Sequence, residues 1–310
     1  MRDDNGPGPL THASRSGADE MPTNFRDGTL RVGFQGEPGA YSEEAALLLF
    51  PGAETAGHPS FRLAFEALSA CAVDACVLPV ENSLGGIVQE VNDYLWEFHP
   101  AADAAGARTG LRVTRELVHP VIHCLVGRRD APIARAMSHP QALAQCRRWL
   151  HARGIEEVTA QDTAGSARWL AENPTPGLAA IASAAAAGRY ELEVLAEGIQ
   201  DDLSNRTRFL VVDRGTPARP ADCAGGCRSS VAMVTGHKPG SLVEALQCFS
   251  QRGVNLSRVD SRPIAGSPFQ YRFYVDFEVG DAGAAEAALA ELESVAAEVR
   301  LFGTYPAALG

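Results

Sequence analysis

From residue 30 to residue 213, short apolar runs alternate with stretches of helical periodicity, the pattern of a parallel β-sheet covered by helices. The expected class of this region is α/β. Residues 30–34 read as a strand, the glycines at 33, 36 and 39 form a loop, and Ser42 is placed to cap a helix carrying Glu43 and Glu44 in its first turn. The free amides of that loop are expected to face a ligand. No Gly-Lys-Ser/Thr follows the loop and the glycines are spaced three apart. Both a Walker loop and a dinucleotide fingerprint are excluded, and no nucleotide is implied.

Residues 73–78 read as the next strand, broken by Pro79. Glu81, Asn82 and Ser83 fall just past its carboxyl end, and Ile87, Val88, Val91, Leu95 and Phe98 mark the buried face of the following helix. Residues 136–137 repeat the arrangement, with Ser138, His139 and Gln141 beyond the strand and Pro140 suited to a first helical turn. Ligands of open α/β sheets sit at carboxyl ends of strands, so both clusters point to one crevice. Asn82 and Ser83 serve equally well as helix caps. His139 reads either as a general base or as a structural residue before the helix-starting proline. Thr163 and Ser183 read as caps of Ala-rich helices.

The segment Ser204-Asn205-Arg206-Thr207-Arg208-Phe209 places a hydroxyl between two guanidinium groups at the mouth of an apolar strand. Forked donors on Arg206 and Arg208 suit carboxylates, and Thr207 offers a hydrogen bond or a proton. A plain turn leading into a strand accounts for the same letters. The preceding acids Asp201 and Asp202 would repel a dicarboxylate and read as loop and capping residues.

The 310 residues, 45% hydrophobic and 21% charged, carry a net charge of −11. That charge disfavours nucleic acid and anionic membrane as partners, leaving a small molecule. Seven cysteines, an odd number mostly within apolar runs, suggest a reducing compartment. Cys223 and Cys227 lack a second ligand pair at zinc spacing, so they read as flexible linker thiols and no metal is expected. Residues 1–28 have little apolar periodicity and no signal-peptide core, and are expected to be a disordered tail.

After a Gly/Pro/Ala-rich linker at 214–228 the pattern changes. Ser229 opens a strand reaching residue 234, and Leu242, Val243, Leu246 and Phe249 line one helix face. Tyr271, Phe273, Val275 and Phe277 then alternate with Arg272, Tyr274 and Asp276, and Leu289, Leu292 and Val295 mark a second helix.

Four segments in order, Gly33-Phe34-Gln35-Gly36-Glu37-Pro38-Gly39-Ala40-Tyr41-Ser42, Pro79-Val80-Glu81-Asn82-Ser83-Leu84-Gly85-Gly86, Ser138-His139-Pro140-Gln141 and Asn205-Arg206-Thr207-Arg208-Phe209, closely resemble the prephenate dehydratase family and its arogenate-using relatives. The resemblance runs over about residues 30–306. It implies a two-lobed, periplasmic-binding-protein-like catalytic domain at 29–213. The first lobe would take about 30–114 and the segment after 196, the second lobe the middle, with substrate in the cleft. Residues 99–110 would be a mobile surface loop. Residues 229–308 resemble an ACT domain, a ferredoxin-like βαββαβ sandwich, on the motifs around Gly240-Ser241-Leu242, Asn255-Leu256-Ser257 and Asp260-Ser261-Arg262-Pro263.

By that resemblance the chain converts prephenate to phenylpyruvate without a cofactor, with Thr207 catalytic. Arg208, assisted by the amides of the 36–42 loop, would hold a carboxylate, and Phe209 would stack on the ring. Asn205, Glu81, Asn82, Ser83, Ser138 and Gln141 would complete the substrate site. Phenylalanine would bind through Gly240, Leu242, Asn255, Leu256, Ser257 and Asp260 at a homodimer or homotetramer interface in a cytoplasmic protein. Two residues depart from the family pattern, Ser241 for Ala and Asp260 for Glu, and the shorter carboxylate bears on an ammonium contact. Arogenate as substrate, a non-catalytic amino-acid sensor and a plain oligomerisation module are the alternatives.

Overall fold

The computed structural model describes residues 29–99, 110–264 and 266–308. The expected tail at 1–28, and the expected loop except for His99 and Gly110, lie outside the described residues. The first lobe contains β1 (Arg31–Gln35), α1 (Tyr41–Leu49), β2 (Glu54–His58), α2 (Phe61–Ser69), β3 (Ala75–Asn82), β4 (Gly86–Ile87), α3 (Gln89–Phe98) and β5 (Gly110–Pro120). The second contains β6 (Cys124–Gly127), β7 (Arg135–Ser138), α4 (Pro140–Gln145), α5 (Arg147–His151), β8 (Glu156–Thr159), α6 (Thr163–Glu172), β9 (Leu178–Ala182), α7 (Ala184–Arg189) and β10 (Glu193–Glu197). β11 (Arg206–Gly215) then returns to the first sheet, giving the order β2-β1-β3-β11-β5, while the second sheet runs β10-β6-β9-β7-β8. Two chain crossings, after Pro120 and before Arg206, therefore join the lobes, and β5 stays in the first sheet beyond residue 114.

β11 is antiparallel to both β3 and β5 and sits between them, which explains its run of buried residues from Thr207 to Asp213. β3 does not stop at Pro79 as expected. Proline cannot donate to the ladder, and the β3–β11 register shifts between Arg208 and Phe209, so the strand bulges there and continues to Asn82.

The Gly33 to Ser42 segment also differs from expectation. α1 starts at Tyr41 with Ala40 as N-cap, so Ser42 lies inside the helix. Glu43, buried, folds back to accept from Gly39 N at 2.5 Å and Thr55 Oγ1 at 2.7 Å. Gly36 N bonds to His58 O, and Ala40 N to Glu37 O. The amides of Gly36, Gly39 and Ala40 are thus spent on protein acceptors, which takes these three out of the expected role of holding a carboxylate. The loop is docked on the second lobe instead: Ser183 Oγ donates to Gly39 O at 3.0 Å and Tyr190 Oη to Pro38 O at 2.7 Å. Gly39, at φ 88°, is required because a Cβ there would lie 2.7 Å from the Ala186 backbone. Asp162, not Thr163, caps α6, and Ser183 caps α7. α3 begins at Gln89, leaving Ile87 and Val88 ahead of it.

The C-terminal region consists of β12 (Cys227–Val234), α8 (Ser241–Ser250), β13 (Leu256–Pro263), β14 (Tyr271–Val279), α9 (Ala282–Val295) and β15 (Glu298–Pro306), with sheet order β13-β14-β12-β15. That is the antiparallel βαββαβ sandwich. Phe273, Val275, Phe277 and Val279 face the helices, together with Ala245, Cys248, Phe249, Leu289 and Leu292. Val243 and Val295, expected on the buried helix faces, are exposed. The opposite sheet face packs on the first lobe, where Tyr274, Ala232, Phe302 and Tyr305 share a core with Leu111, Val113, Leu210 and Val212. Gly303 permits this approach, since a Cβ there would lie 2.2 Å from Val113 O.

The segment between the sheets is anchored more firmly than a free linker. Residues 214–215 and 227–228 belong to strands, and a short 3-10 turn at Pro220–Asp222 precedes the Cys223–Cys227 disulfide. The two cysteines were expected to be free thiols. Gly225 and Gly226, both at positive φ, turn the chain back so that the two Cα atoms are 6.4 Å apart.

Candidate active site between the lobes

The interlobe cleft holds a cavity of about 260 Å³ lined by Thr207, Asn82, Gln141, His139, Tyr41, Pro79, Val88, Val121, His123, Ala142, Gln145, Asp162 and Thr163. Thr207 and Asn82 come from adjacent strands and are register partners. Asn82 Nδ2 shares its hydrogens among Thr207 Oγ1 at 2.9 Å, Asn205 Oδ1 at 2.8 Å and Arg206 O at 3.1 Å. Its Oδ1 accepts from Gly85 N at 2.7 Å and Leu84 N at 3.1 Å, so the turn after β3 fixes the amide's orientation. Thr207 thus accepts through its oxygen, and its hydroxyl proton has no acceptor among the described residues. A hydroxyl polarised by one donor and free to donate is suited to an oxygen that gains negative charge.

Behind this pair the network crosses between lobes. Fully buried Asn205 donates through Nδ2 to Gln145 Oε1 at 3.1 Å, and His123 Nε2 meets the same oxygen at 2.8 Å. His123 Nδ1 lies 3.0 Å from Tyr41 Oη, which also donates to Ile122 O at 2.8 Å. Burial pushes the His123 imidazole below its usual range, against the Gln145 hydrogen bond, and burial followed by nearby Glu44 holds the Tyr41 phenol well above its own. Both rings are neutral near pH 7. Gln141 reaches across from α4 so closely that a Cβ on Gly85 would lie 1.8 Å from its Nε2. Glycine at 85 therefore lets the lobes approach at the cleft mouth.

Of the residues expected at the substrate, the structure brings Thr207, Asn82 and Gln141 to the cavity and Asn205 directly behind it. Ser83 lies outside, accepting from Arg206 N at 2.9 Å and tying the ends of β3 and β11 together. Glu81 does not line the cavity. Ser138 is fully buried and donates to Ile181 O at 2.7 Å, bridging β7 to β9 instead of facing the cleft. Phe209 is 1% exposed and packs with Val32, Ala45, Phe50 and Val77, too deep to stack on a ligand.

Arg208 is the largest departure. It points away from the cleft into a dry cluster of charges, donating to Glu116, Asp276 and Tyr305. Among the described residues no Lys or Arg lines the cavity, so a bound anion meets amides, hydroxyls and imidazoles there, with Asp162 as the one carboxylate on the wall. His139 uses Nδ1 to accept from Gln141 N at 3.2 Å, the capping role, while its ring still lines the cavity. Sequence reasoning assigned no role to Tyr41, His123, Gln145 or Asp162. The one signal available was polar side chains interrupting otherwise apolar runs at 121–126 and 142–146.

A second chamber, about 460 Å³ and mostly apolar, shares Tyr41 as a wall and is lined by Leu47, Leu48, Ile122, Ala185 and the His119–Glu44 pair, 3.2 Å apart.

Residues 32–217 match the family model described as prephenate dehydratase. The chain belongs to the prephenate dehydratase family. An Arabidopsis thaliana relative named arogenate dehydratase/prephenate dehydratase 1, chloroplastic, is 38% identical over 298 residues, spanning 90% of this chain and 73% of its own length. The solved prephenate dehydratase from Arthrobacter aurescens, in complex with L-Phe, is 32% identical, covers 90% of each chain and superposes with a TM-score of 0.77. GqqA, described as a novel type of quorum quenching acylase, is 30% identical over 89% of this chain and 98% of its own, with a TM-score of 0.78. Membership makes this protein a dehydratase, a lyase of phenylalanine biosynthesis. No helix among the described residues is long and apolar enough to cross a membrane.

Proposed function

We propose that the protein removes water and carbon dioxide from prephenate to give phenylpyruvate, with Thr207 as the catalytic residue. The observation that carries this reading is the Thr207 hydroxyl, held by Asn82 at 2.9 Å with its own proton unspent. As the bond from the ring to the 4-hydroxyl breaks, electrons of the ring-to-carboxylate bond enter the ring and carbon dioxide departs. The leaving oxygen gains charge, and a Thr207 hydrogen bond reinforced by Asn82 stabilises it. A threonine is a poor acid, so the hydrogen bond carries more of the effect than proton transfer. Gln141, Thr163 and His139 supply contacts to the carboxylates, and the reaction needs no cofactor because aromatisation drives it.

Arogenate is the alternative substrate, and the name of the Arabidopsis relative supports it equally. It differs by an ammonium in place of a keto group. Asp162 is a carboxylate on the cavity wall whose Oδ1 caps Gly165 N, and its charge favours an ammonium over a keto group. Side-by-side assays on prephenate and arogenate test both readings, and a folded protein that turns over neither sinks them. In the arogenate case Asp162→Asn lowers arogenate turnover relative to prephenate by on the order of tenfold or more.

The C-terminal sandwich is read as an ACT module binding L-phenylalanine as a feedback effector, with Gly240, Leu242, Asn255, Leu256, Ser257 and Asp260 at the site. Asp260 Oδ2 and Ser241 Oγ support this, being buried with no hydrogen-bond partner. Exposed Val259 on the edge strand β13 and exposed Val243 on α8 support assembly into a homodimer or homotetramer, which light scattering tests. A cytoplasmic location is our reading from the mostly unpaired cysteines; the Arabidopsis relative is named chloroplastic.

A second reading, acyl-chain hydrolysis, is favoured by the 460 Å³ apolar chamber with its His119–Glu44 pair and by the likeness to GqqA. Release of free fatty acid from a medium-chain N-acyl amide tests it, and its absence removes the reading.

A further inference from the structure

Arg208 follows the cleft hydroxyl directly in sequence, yet it commits all three nitrogens of its guanidinium elsewhere. Nε donates to Glu116 Oε2 at 2.6 Å, Nη1 to Asp276 Oδ2 at 2.5 Å and Nη2 to Tyr305 Oη at 2.9 Å. Asp276 is fully buried and is held from two more directions. Ser230 Oγ donates to Oδ1 at 2.6 Å, and Arg258 Nε stands 2.9 Å from Oδ2. One carboxylate on β14 therefore joins β11, which carries Thr207, to β13, which carries Arg258. On β13, Arg258 lies between Ser257 and Asp260, and Asp260 Oδ2 is the buried oxygen without a partner.

We propose that Arg208 is a positioning residue for Thr207, and that Arg258–Asp276–Arg208 is a relay transmitting amino-acid occupancy at Asp260 of β13 to the cleft. The relay rests on the dehydratase reading for its activity readout and on an α-amino acid as the ligand. Its physical basis is burial. Both arginines share Oδ2 of one dry carboxylate, so displacement of Arg258 by a ligand-induced shift of β13 changes the counter-charge left for Arg208. With Arg258 displaced, the Asp276 carboxylate has Arg208 as its remaining guanidinium and draws it closer, so Arg208 and its backbone shift. The register shift between Arg208 and Phe209 lets the start of β11 move while the ladder from Phe209 to Asp213 stays paired. Displacement of a catalytic group by about 1 Å costs on the order of 100-fold in rate, which makes a small movement an effective brake.

The test uses the full-length protein, L-phenylalanine as probe, and three readouts: calorimetric binding, inhibition of turnover, and amide hydrogen exchange over residues 204–211. In the wild type, L-phenylalanine binds, inhibits and alters exchange at 204–211. Arg258→Gln is expected to bind L-phenylalanine within about threefold of wild type, to need tenfold or more ligand for inhibition, and to lose the exchange response. Arg112→Gln removes the Arg112–Asp213 pair at the far end of β11, which shares no partner with Arg208, so it is expected to lose stability and keep inhibition. If Arg258→Gln does not fold, Arg258→Lys replaces it; a Lys variant with wild-type inhibition and exchange response counts against the relay. Binding and inhibition weakening in step in the Arg258 variant, equal uncoupling by Arg112→Gln, or an unchanged 204–211 exchange in the wild type each overturn the proposal. A wild type that turns over neither prephenate nor arogenate removes the dehydratase reading, while the exchange readout still decides the relay.

Discussion

Thr207 and Arg208 are neighbours on one strand, but the cleft that receives the first and the charge cluster that receives the second are built on opposite terms. The cleft is made of amides, hydroxyls and rings, with Asp162 the one carboxylate among the described residues that line it. The cluster gathers Arg208, Arg228, Arg258, Glu116 and Asp276 in a nearly dry space between β5, β11 and the C-terminal sheet. In the cluster the charges are spent mainly on one another. In the cleft the Thr207 hydroxyl proton has no acceptor among the described residues. The paired groups hold the architecture together and the unspent hydroxyl is available to a ligand, which is a stronger criterion for a functional residue than its charge.

If that division is right, each side fails in its own way. Asp276→Ala leaves two buried guanidiniums short of counter-charge, and a urea titration is expected to show a loss of about 3–5 kcal/mol. The pH dependence agrees. Burial pushes the Asp276 carboxyl up, but Arg258 and Arg208 outweigh it and hold it below 3.8, so its stabilisation is present above that value and disappears as the pH falls through the folded value. Thr207→Ala should do the reverse: turnover falls by on the order of 100- to 1000-fold while the melting temperature stays near wild type, and steady-state kinetics with a melt distinguishes the two. A variant equally stable and fully active would detach Thr207 from the chemistry.

A smaller effect belongs to His123, at the back of the cleft. Its folded value is lowered from 6.5, so on acidification below that point the unfolded chain takes up a proton that the folded one refuses. Stability is expected to decline as the pH falls from about 6.5, and His123→Gln should flatten that part of the curve in urea midpoints. Smallest is the exposed Arg129–Glu193 pair, whose removal by Arg129→Ala should leave the melt and the turnover unchanged within error.

Much of the fold was legible because it rests on local periodicity. The alternation at 271–277 and the helix patterns after β3 and β12 place apolar residues where burial demands them. The same alternation left the second face of β14 unread: Tyr274 and Asp276 are buried because another sheet covers them, a fact no local window contains. Thr207, Asn82 and Gln141 were legible through their place at strand ends. Arg208 was not, because its partners Glu116 and Asp276 are far away in sequence, and a guanidinium beside a reactive hydroxyl reads as an anion clamp until its counter-ions are known. Phe209 was misread for a related reason, since its depth depends on α1 closing over the strand. Val243, an apolar residue left in solvent, followed the helical period of its neighbours and not the position of the sheet.

The central place of β11 also sets an order of events during synthesis. β3 and β5 flank a slot that stays empty until the chain has emerged from Arg206 to Gly215, after the whole second lobe has been made. At translation speeds of about 5–20 residues per second, the growing chain carries that gap for several seconds or more. During that interval β5, eleven residues long, waits without β11, the strand it pairs with in the finished sheet. A nascent-chain chaperone, or a fast-folding second lobe drawing the two crossings together, would shield the open edge until the strand that bears the reactive hydroxyl closes it.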